Sequence, residues 1–186
     1  MKSNFFKLKF IADVLTSFRL FISLLIILTG LIWGKDGLSV TFVLLLIGWI
    51  TDVFDGFLAR RDKEGKQTWI GENDLIVDVI LAFSMIIYFT ESGIISLWVS
   101  LFYFAFLILV TFAFTAWSLY ATYIGLSYGL CLLISYLYAP LFWWLFLIYI
   151  AVVLLVTWDH CWENIRAFFS GFSEIEAREP FKKWLV

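Results

Sequence analysis

The chain has 186 residues, of which 63% are hydrophobic and only 15% are charged. Its mean hydropathy of +0.96 is far above that of a soluble globular protein and places it in the membrane class. A formal net charge of −2 argues against a nucleic-acid partner. The two cysteines have neither the spacing of a disulfide framework nor that of a zinc motif.

Six apolar segments follow one another along the chain. The stretch 94–158 contains no charged residue, and at about 20 residues per crossing it has room for three of them. We divide it near residues 117–121, where no polar residue enforces the break, and at Pro140. The sequence therefore predicts one all-α integral membrane domain, 1–186, with six transmembrane helices and an interfacial tail. The predicted spans are about 15–33, 38–59, 74–90, 94–116, 122–138 and 141–158, and the tail is 159–186.

Basic residues near the span ends predict the orientation of the helices. With six spans, 12 of the 13 Lys and Arg residues fall on one side, in the N-terminal arm with Arg19, the loop 60–73 and the tail. Lys35 alone falls on the other side. We therefore expect a multi-pass protein of a bacterial inner membrane with both termini in the cytoplasm.

An acidic stretch lies where the second span ends and the third begins. Asp52 and Asp55 are spaced i, i+3, and Asp74 and Asp78 are spaced i, i+4, so each pair shares one helical face. A carboxylate deep in a membrane helix costs about 2.5–3.5 kcal/mol on insertion scales, and such residues mark ion, proton or substrate sites. Two acidic stripes on consecutive helices predict a common divalent-metal site.

The acidic stretch resembles the signature of the CDP-alcohol phosphatidyltransferases, D-x2-D-G-x2-A-R-x8-G-x3-D-x3-D. Here ten residues rather than eight separate Arg60 from Gly71, and two rather than three separate Gly71 from Asp74. The matching residues are Asp52, Asp55, Gly56, Ala59, Arg60, Asp74 and Asp78.

A second resemblance lies earlier in the chain. Residues 13–19, DVLTSFR, are similar to the N-x-L-T-x-x-R pattern at the start of the first helix in the phosphatidylglycerophosphate and cardiolipin synthase branch. Asp13 stands in the place of the asparagine.

The resemblance implies an enzyme of phospholipid synthesis in a lipid bilayer. It would transfer a phosphatidyl group from CDP-diacylglycerol to an alcohol and release CMP. Carboxylates without histidine or thiolate suit Mg²⁺ or Mn²⁺, and a paired-metal site would polarise the phosphoryl group. By resemblance, Asp52, Asp55 and Asp74 are metal ligands, and Asp78 is both a ligand and the general base. The implied CDP-binding residues are Asp55, Gly56, Ala59 and Arg60.

The branch resemblance indicates glycerol-3-phosphate as the acceptor. A phosphorylated acceptor needs arginine or lysine to match its charge. Because no Lys or Arg lies between Met85 and Arg166, a neutral alcohol or an existing lipid is a serious rival. The candidates for holding an acceptor phosphate are Arg19, Arg60, Arg61, the nearby loop lysines and Arg166.

Other interpretations stay open at this point. An aspartate in a membrane helix can form a structural ion pair with Arg19 or Arg60, although four aspartates in two stripes fit that explanation poorly. A small ion- or proton-coupled transporter also uses intramembrane carboxylates, but the chain lacks the internal repeats common in transporters. A family member weakened by its altered loop is a third alternative. Gly125 and Gly129 form a G-x-x-x-G pattern that fits either a homodimer contact or close packing inside the bundle.

Overall fold

The computed structural model describes residues 2–61, 74–115, 117–173 and 176–177. The chain divides into two compact units, Met1–Ile94 and Ile95–Val186. Apart from two strands of two residues each, the regular elements in the described ranges are helices, so the predicted all-α class is confirmed. The prediction of a single domain stays a prediction.

The first unit contains three long helices and a short 3₁₀ turn. The first helix ends where Gly34 adopts a φ of +54°, in the left-handed region that favours glycine. The elements are α1 (Lys2–Trp33), the 3₁₀ helix (Gly34–Gly37), α2 (Leu38–Arg61) and α3 (Asp74–Glu91).

Helix α1 packs along both α2 and α3. Its Ile22 and Ile26 are buried together with Phe42 and Leu45 of α2. Phe89 of α3 completes this core, with its ring centroid 6.5 Å from that of Phe42. The apolar side chains that face inward therefore hold the three helices side by side.

The side chain of Leu81 on α3 packs against Gly48 of α2. A Cβ atom added at Gly48 would lie 2.9 Å from Cδ2 of Leu81, closer than side-chain atoms normally pack. Only glycine leaves room for this approach without moving Leu81. Gly48 lies four residues before Asp52 and Leu81 three residues after Asp78, so the close contact is about one helical turn away from the acidic residues.

The other end of the first unit is also tightly held. The Tyr88 hydroxyl donates a hydrogen bond of 2.9 Å to the carbonyl oxygen of Gly34. A Cβ atom at Gly30 would lie 3.1 Å from Cδ2 of Tyr88. These contacts fix α3 against the end of α1, far from the acidic residues.

The second unit contains four helices. Its α5 packs against both α6 and α7, and a two-residue antiparallel pair aligns Phe114 with Ala177. The elements are α4 (Leu97–Ala113), β1 (Phe114–Thr115), α5 (Trp117–Tyr138), α6 (Pro140–Val156), α7 (Trp158–Ser173) and β2 (Glu176–Ala177).

The breaks in this unit lie close to the predicted ones but not all at the same residues. Pro140 is the first residue of α6, and Ala139 before it is non-helical, as the proline ring requires. Helix α4 ends earlier than predicted, at Ala113, because Phe114 turns extended and pairs with the later strand. Helix α5 accordingly begins at Trp117 rather than near residue 122.

The glycine pair of α5 does not mediate close packing among the described residues. A Cβ atom added at Gly125 or Gly129 would meet no described atom within 4 Å. Among the described residues, close packing therefore does not explain the G-x-x-x-G pattern, and the homodimer stays a prediction.

The outward surface of the helices is strongly apolar. Trp98, Leu155 and Phe102 expose 79%, 78% and 74% of their surface, whereas Thr16, Ser23 and other small polar residues are buried. Large apolar side chains pointing outward are typical of helices surrounded by lipid. Two stretches, Ile11–Leu58 and Ser118–Tyr138, are long and apolar enough to cross a membrane, and Leu97–Ala113 and Pro140–Val156 are shorter apolar helices.

Candidate active site

Four aspartates of the first unit converge on one point. Asp52 and Asp55 project from one face of α2, and Asp74 and Asp78 project from the first two turns of α3. One carboxylate oxygen from each of Asp52, Asp74 and Asp78 lies within 4.8 Å of the others. The structure thus brings the two acidic stripes together, and Asp55 joins them through a shared partner described below.

The four carboxylates differ in their access to the outside. The Asp55 side chain is only 6% exposed, that of Asp78 is 25% exposed, and those of Asp74 and Asp52 are 41% and 44% exposed. Asp55 therefore forms the floor of the cluster, and Asp52 and Asp74 form its open rim.

Arg19 of α1 lies at the centre of this cluster, and its side chain is fully buried. Its Nη1 atom donates to Asp52 Oδ1 over 2.7 Å and also to Asp78 Oδ1. Its Nη2 atom donates to Asp55 Oδ2 over 2.5 Å and also to Asp74 Oδ1. One guanidinium therefore contacts all four carboxylates and links α1 to both other helices.

The ion pair with Arg19, raised above as an alternative for a single aspartate, is present for all four. A buried charge is stable only when it is paired and hydrogen-bonded, and removing one partner of a buried pair costs about 3–5 kcal/mol. Three formal negative charges remain when one guanidinium faces four carboxylates, so the cluster retains a strong attraction for further cations.

Thr16 is a further member of the site that was not assigned a role from the sequence. Its hydroxyl donates to Asp55 Oδ2 over 3.0 Å, and it also lies 3.4 Å from Nη2 of Arg19. Thr16 and Arg19 are three residues apart on α1 and so share a face. The T-x-x-R spacing could have predicted this role, because residues three apart on a helix share a face and the Thr16 hydroxyl therefore lies beside the Arg19 guanidinium.

Some predicted site residues are only partly described. Gly56 lies half-buried on α2, four residues after Asp52. Ala59, Arg60 and Arg61 form the end of α2, but their side chains lie outside the described residues, as do residues 62–73 with Gly71. Arg166 is exposed on α7 of the second unit, with its guanidinium carbon 5.5 Å from the centre of the Trp162 ring.

The donor atoms of the cluster suit a hard divalent cation. They are all carboxylate oxygens, the ligands that Mg²⁺ and Mn²⁺ prefer. A cation already lies among them in the form of the Arg19 guanidinium, which shows that the oxygens are arranged to surround positive charge. Asp52, Asp74 and Asp78 are the described group able to hold a metal ion.

The comparison with protein families identifies the class of this protein. The model of the CDP-alcohol phosphatidyltransferase family matches residues 9–158, which is most of the chain. The chain belongs to this family. Searches of curated proteins and of solved structures each gave no match.

Family membership establishes the general activity. The protein is an all-α membrane enzyme, a transferase of phospholipid biosynthesis that acts on CDP-alcohols, in a family that depends on divalent metals. The transporter interpretation is therefore set aside. The match includes both the T-x-x-R segment on α1 and all four aspartates, and it ends at the first residue of α7.

Proposed function

We propose that this protein transfers a phosphatidyl group from CDP-diacylglycerol to an alcohol acceptor and releases CMP. The observation that supports it most strongly is the convergence of Asp52, Asp55, Asp74 and Asp78 from two adjacent helices. Their residues and spacing within each helix are those of the family signature. A cluster of carboxylates that gathers cations is suited to a diphosphate substrate, which reaches the site together with its counter-ions.

Asp52, Asp55 and Asp74 are proposed as metal ligands, with Asp78 contributing a further oxygen. Two divalent ions, Mg²⁺ or Mn²⁺, would when bound polarise the phosphoryl group and stabilise the oxygen that leaves. The difference in exposure supports a division of labour. A diphosphate can reach the exposed carboxylates of Asp52 and Asp74. The buried carboxylate of Asp55 would bind a metal ion from the inner side of the cluster.

Asp78 is proposed as the general base. The acceptor hydroxyl would give its proton to the Asp78 carboxylate while its oxygen forms a bond to the phosphorus of the phosphatidyl group. The bond from that phosphorus to the oxygen bridging the two phosphates would break, and CMP would leave with the bridging oxygen. Asp78 is more buried than the rim carboxylates, which favours a proton acceptor shielded from bulk water.

The nucleotide is proposed to bind along the end of α2. Gly56 and Ala59 carry little or no side chain, so a ligand can approach the helix backbone there. Arg60 follows them and would pair with a phosphate oxygen. With Asp55, these residues form the proposed CDP site.

Glycerol-3-phosphate is the preferred acceptor on the strength of the α1 segment. Its phosphate needs a basic partner, and Arg19 is already engaged with four carboxylates in this structure. Arg61 and Arg166 are then the remaining candidates besides Arg60. A neutral alcohol or a lipid acceptor is the alternative if none of them serves.

The proposed orientation places the site at the cytoplasmic side, with both termini there and six helices across a bacterial inner membrane. Arg19 no longer counts toward the tally of basic residues, because it is buried inside the site. Leaving it out of both totals gives 11 of 12 Lys and Arg residues on the proposed cytoplasmic side, so the orientation does not depend on it.

A direct assay tests the proposal. Purified protein in lipid nanodiscs with CDP-diacylglycerol should release CMP only when Mg²⁺ or Mn²⁺ and an acceptor are present. Glycerol-3-phosphate, glycerol, inositol and phosphatidylglycerol are offered separately. The acceptor KM should then be compared between the wild-type protein and three variants, Arg60→Gln, Arg61→Gln and Arg166→Gln. Unchanged KM in all three variants would leave Arg19 as the phosphate partner or favour a neutral acceptor, and no CMP release with any acceptor would contradict the activity itself.

A further inference from the structure

The position of the Arg19 guanidinium has a consequence for metal binding. Each of its terminal nitrogens bridges one carboxylate of α2 and one of α3. Nη1 joins Asp52 to Asp78, and Nη2 joins Asp55 to Asp74. A metal ion that binds these oxygens would occupy the same place between the helices.

A metal ion and the guanidinium cannot share these positions. Mg²⁺ binds carboxylate oxygens at about 2.0–2.1 Å, so an ion held by Asp52, Asp74 and Asp78 would lie within the space that the terminal nitrogens occupy. The two positive charges would also repel each other strongly at such a distance. Metal binding through these oxygens therefore requires Arg19 to withdraw.

We propose, on the basis of the function proposed above, that Arg19 is an internal counter-ion that is exchanged for metal. In the metal-free protein its guanidinium holds the four carboxylates together and prevents their mutual repulsion. When divalent ions enter, the guanidinium leaves the carboxylates and is free to bind an anionic phosphate oxygen at the rim. Arg19 is thus a positioning residue without metal and a phosphate-binding residue with metal.

The charge count supports this exchange. Four carboxylates are neutralised by two divalent ions, so the arginine charge becomes surplus once both are bound. A surplus guanidinium beside the metal site would bind phosphate through paired hydrogen bonds. Metal and phosphate substrate should therefore each strengthen the binding of the other.

The surroundings of Arg19 allow it to move without disturbing the floor of the site. Its Nε atom is buried and has no hydrogen-bond partner among the described residues, so no bond is lost there on rotation. Asp55 keeps the hydrogen bond from Thr16 after the guanidinium has gone. Asp55 would therefore stay in place for the incoming ion.

Mn²⁺ binding to purified protein in nanodiscs, followed by the electron paramagnetic resonance of free Mn²⁺, tests the exchange. Arg19→Gln removes the competing charge and should lower the Kd for Mn²⁺ on the order of tenfold, a typical size for coupling between two ligands. Lys35→Gln is the matched control, because it removes an exposed positive charge about 20 Å away along the helix. It should leave the Kd unchanged.

The outcomes separate the two proposals. If wild-type protein binds Mn²⁺ and Arg19→Gln binds it equally or more weakly, the exchange is wrong and the proposed metal site stands. If wild-type protein binds no Mn²⁺, or if the Asp74→Asn variant binds Mn²⁺ with unchanged Kd, the proposed metal site is wrong. The exchange is then wrong too.

A second measurement needs no variant and covers the case in which Arg19→Gln does not fold. Phenylglyoxal modifies accessible arginines, and mass spectrometry of peptides locates the modified residue. In wild-type protein Arg19 should be protected without metal and become several-fold more reactive with Mn²⁺. Added inorganic phosphate should protect it again, and CDP-diacylglycerol or glycerol-3-phosphate in its place identifies which phosphate Arg19 binds. Equal protection of Arg19 with and without Mn²⁺ would overturn the exchange.

Discussion

The two units of the chain use the same kind of apolar helix for different purposes. The first unit buries an arginine, an aspartate and a threonine at the meeting point of three helices. The second has no charged residue before α7, and the buried polar side chains of α4 and α5 are mostly serines, such as Ser127, which lies 2.8 Å from the Tyr103 hydroxyl. The difference supports the proposal that the chemistry is concentrated in the first unit, whereas the second unit buries mainly apolar side chains.

The largest expected effect comes from removing a proposed metal ligand in the first unit. Asp74→Asn should abolish metal-dependent CMP release, because the amide keeps the shape of the side chain but not the charge that binds the ion. The expected loss is at least about 10³-fold. Glu163→Gln, which makes the same change at an exposed position on α7, should keep near wild-type turnover. Equal losses of turnover in both variants would contradict the proposal that the chemistry is concentrated in the first unit.

Asp78→Asn should also be severe but should fail in a different way. If Asp78 accepts the proton of the acceptor, turnover should fall roughly 10²–10⁴-fold while CDP-diacylglycerol still binds. Nucleotide binding is measured by equilibrium binding of labelled CDP-diacylglycerol in nanodiscs. Loss of this binding together with turnover would assign Asp78 to metal binding rather than to proton transfer.

Thr16→Val tests the support beneath the cluster. The variant loses the hydrogen bond to Asp55, which is worth about 1.5–3 kcal/mol when the acceptor is charged, so turnover should fall roughly 10- to 100-fold. Ser17→Ala is the matched control, because Ser17 is exposed and its hydroxyl donates only to the carbonyl of Asp13 in the same helix. A Thr16→Val enzyme with wild-type kcat and metal affinity would show that Asp55 needs no such support.

The smallest expected effect concerns helix packing. Gly48→Ala places a methyl group against Leu81 and should lower stability by about 1 kcal/mol, because the buried Leu81 side chain must shift within its packed surroundings. Gly129→Ala in the second unit meets no described atom within 4 Å and should be neutral or slightly stabilising. Unfolding in mixed detergent micelles compares the two variants, and equal stability would show that the α2–α3 contact adjusts freely.

The sequence was sufficient to predict the helices and the meeting of the acidic stripes, because both depend on local periodicity. Asp52 and Asp55 share a face of any helix that contains them, and Asp74 and Asp78 lie in the first turns of the next described helix along the chain. The central place of Arg19 was not predictable in the same way. It depends on how α1 is rotated against α2 and α3, and that rotation is fixed by packing of residues such as Ile22 and Phe42 rather than by spacing along the chain.

The break between α4 and α5 is a second feature that the sequence alone did not predict at the correct residues. An apolar stretch without polar residues contains little local information about where a helix ends. Here the end at Ala113 coincides with the pairing of Phe114 with Ala177, more than 60 residues later in the chain. A contact between distant residues of this kind leaves no local pattern in the sequence.

The close contact at Gly48 has a consequence for which ions the site accepts. It seats the Leu81 side chain of α3 against the backbone of α2 only one turn from Asp52 and Asp78, so packing beside the proposed metal site favours one spacing of the two helices. Ca²⁺ needs longer bonds of about 2.3–2.6 Å and more ligands than Mg²⁺ does. Discrimination between Mg²⁺ and Ca²⁺ would then depend on the absence of a Cβ atom at Gly48, a residue that contacts neither ion.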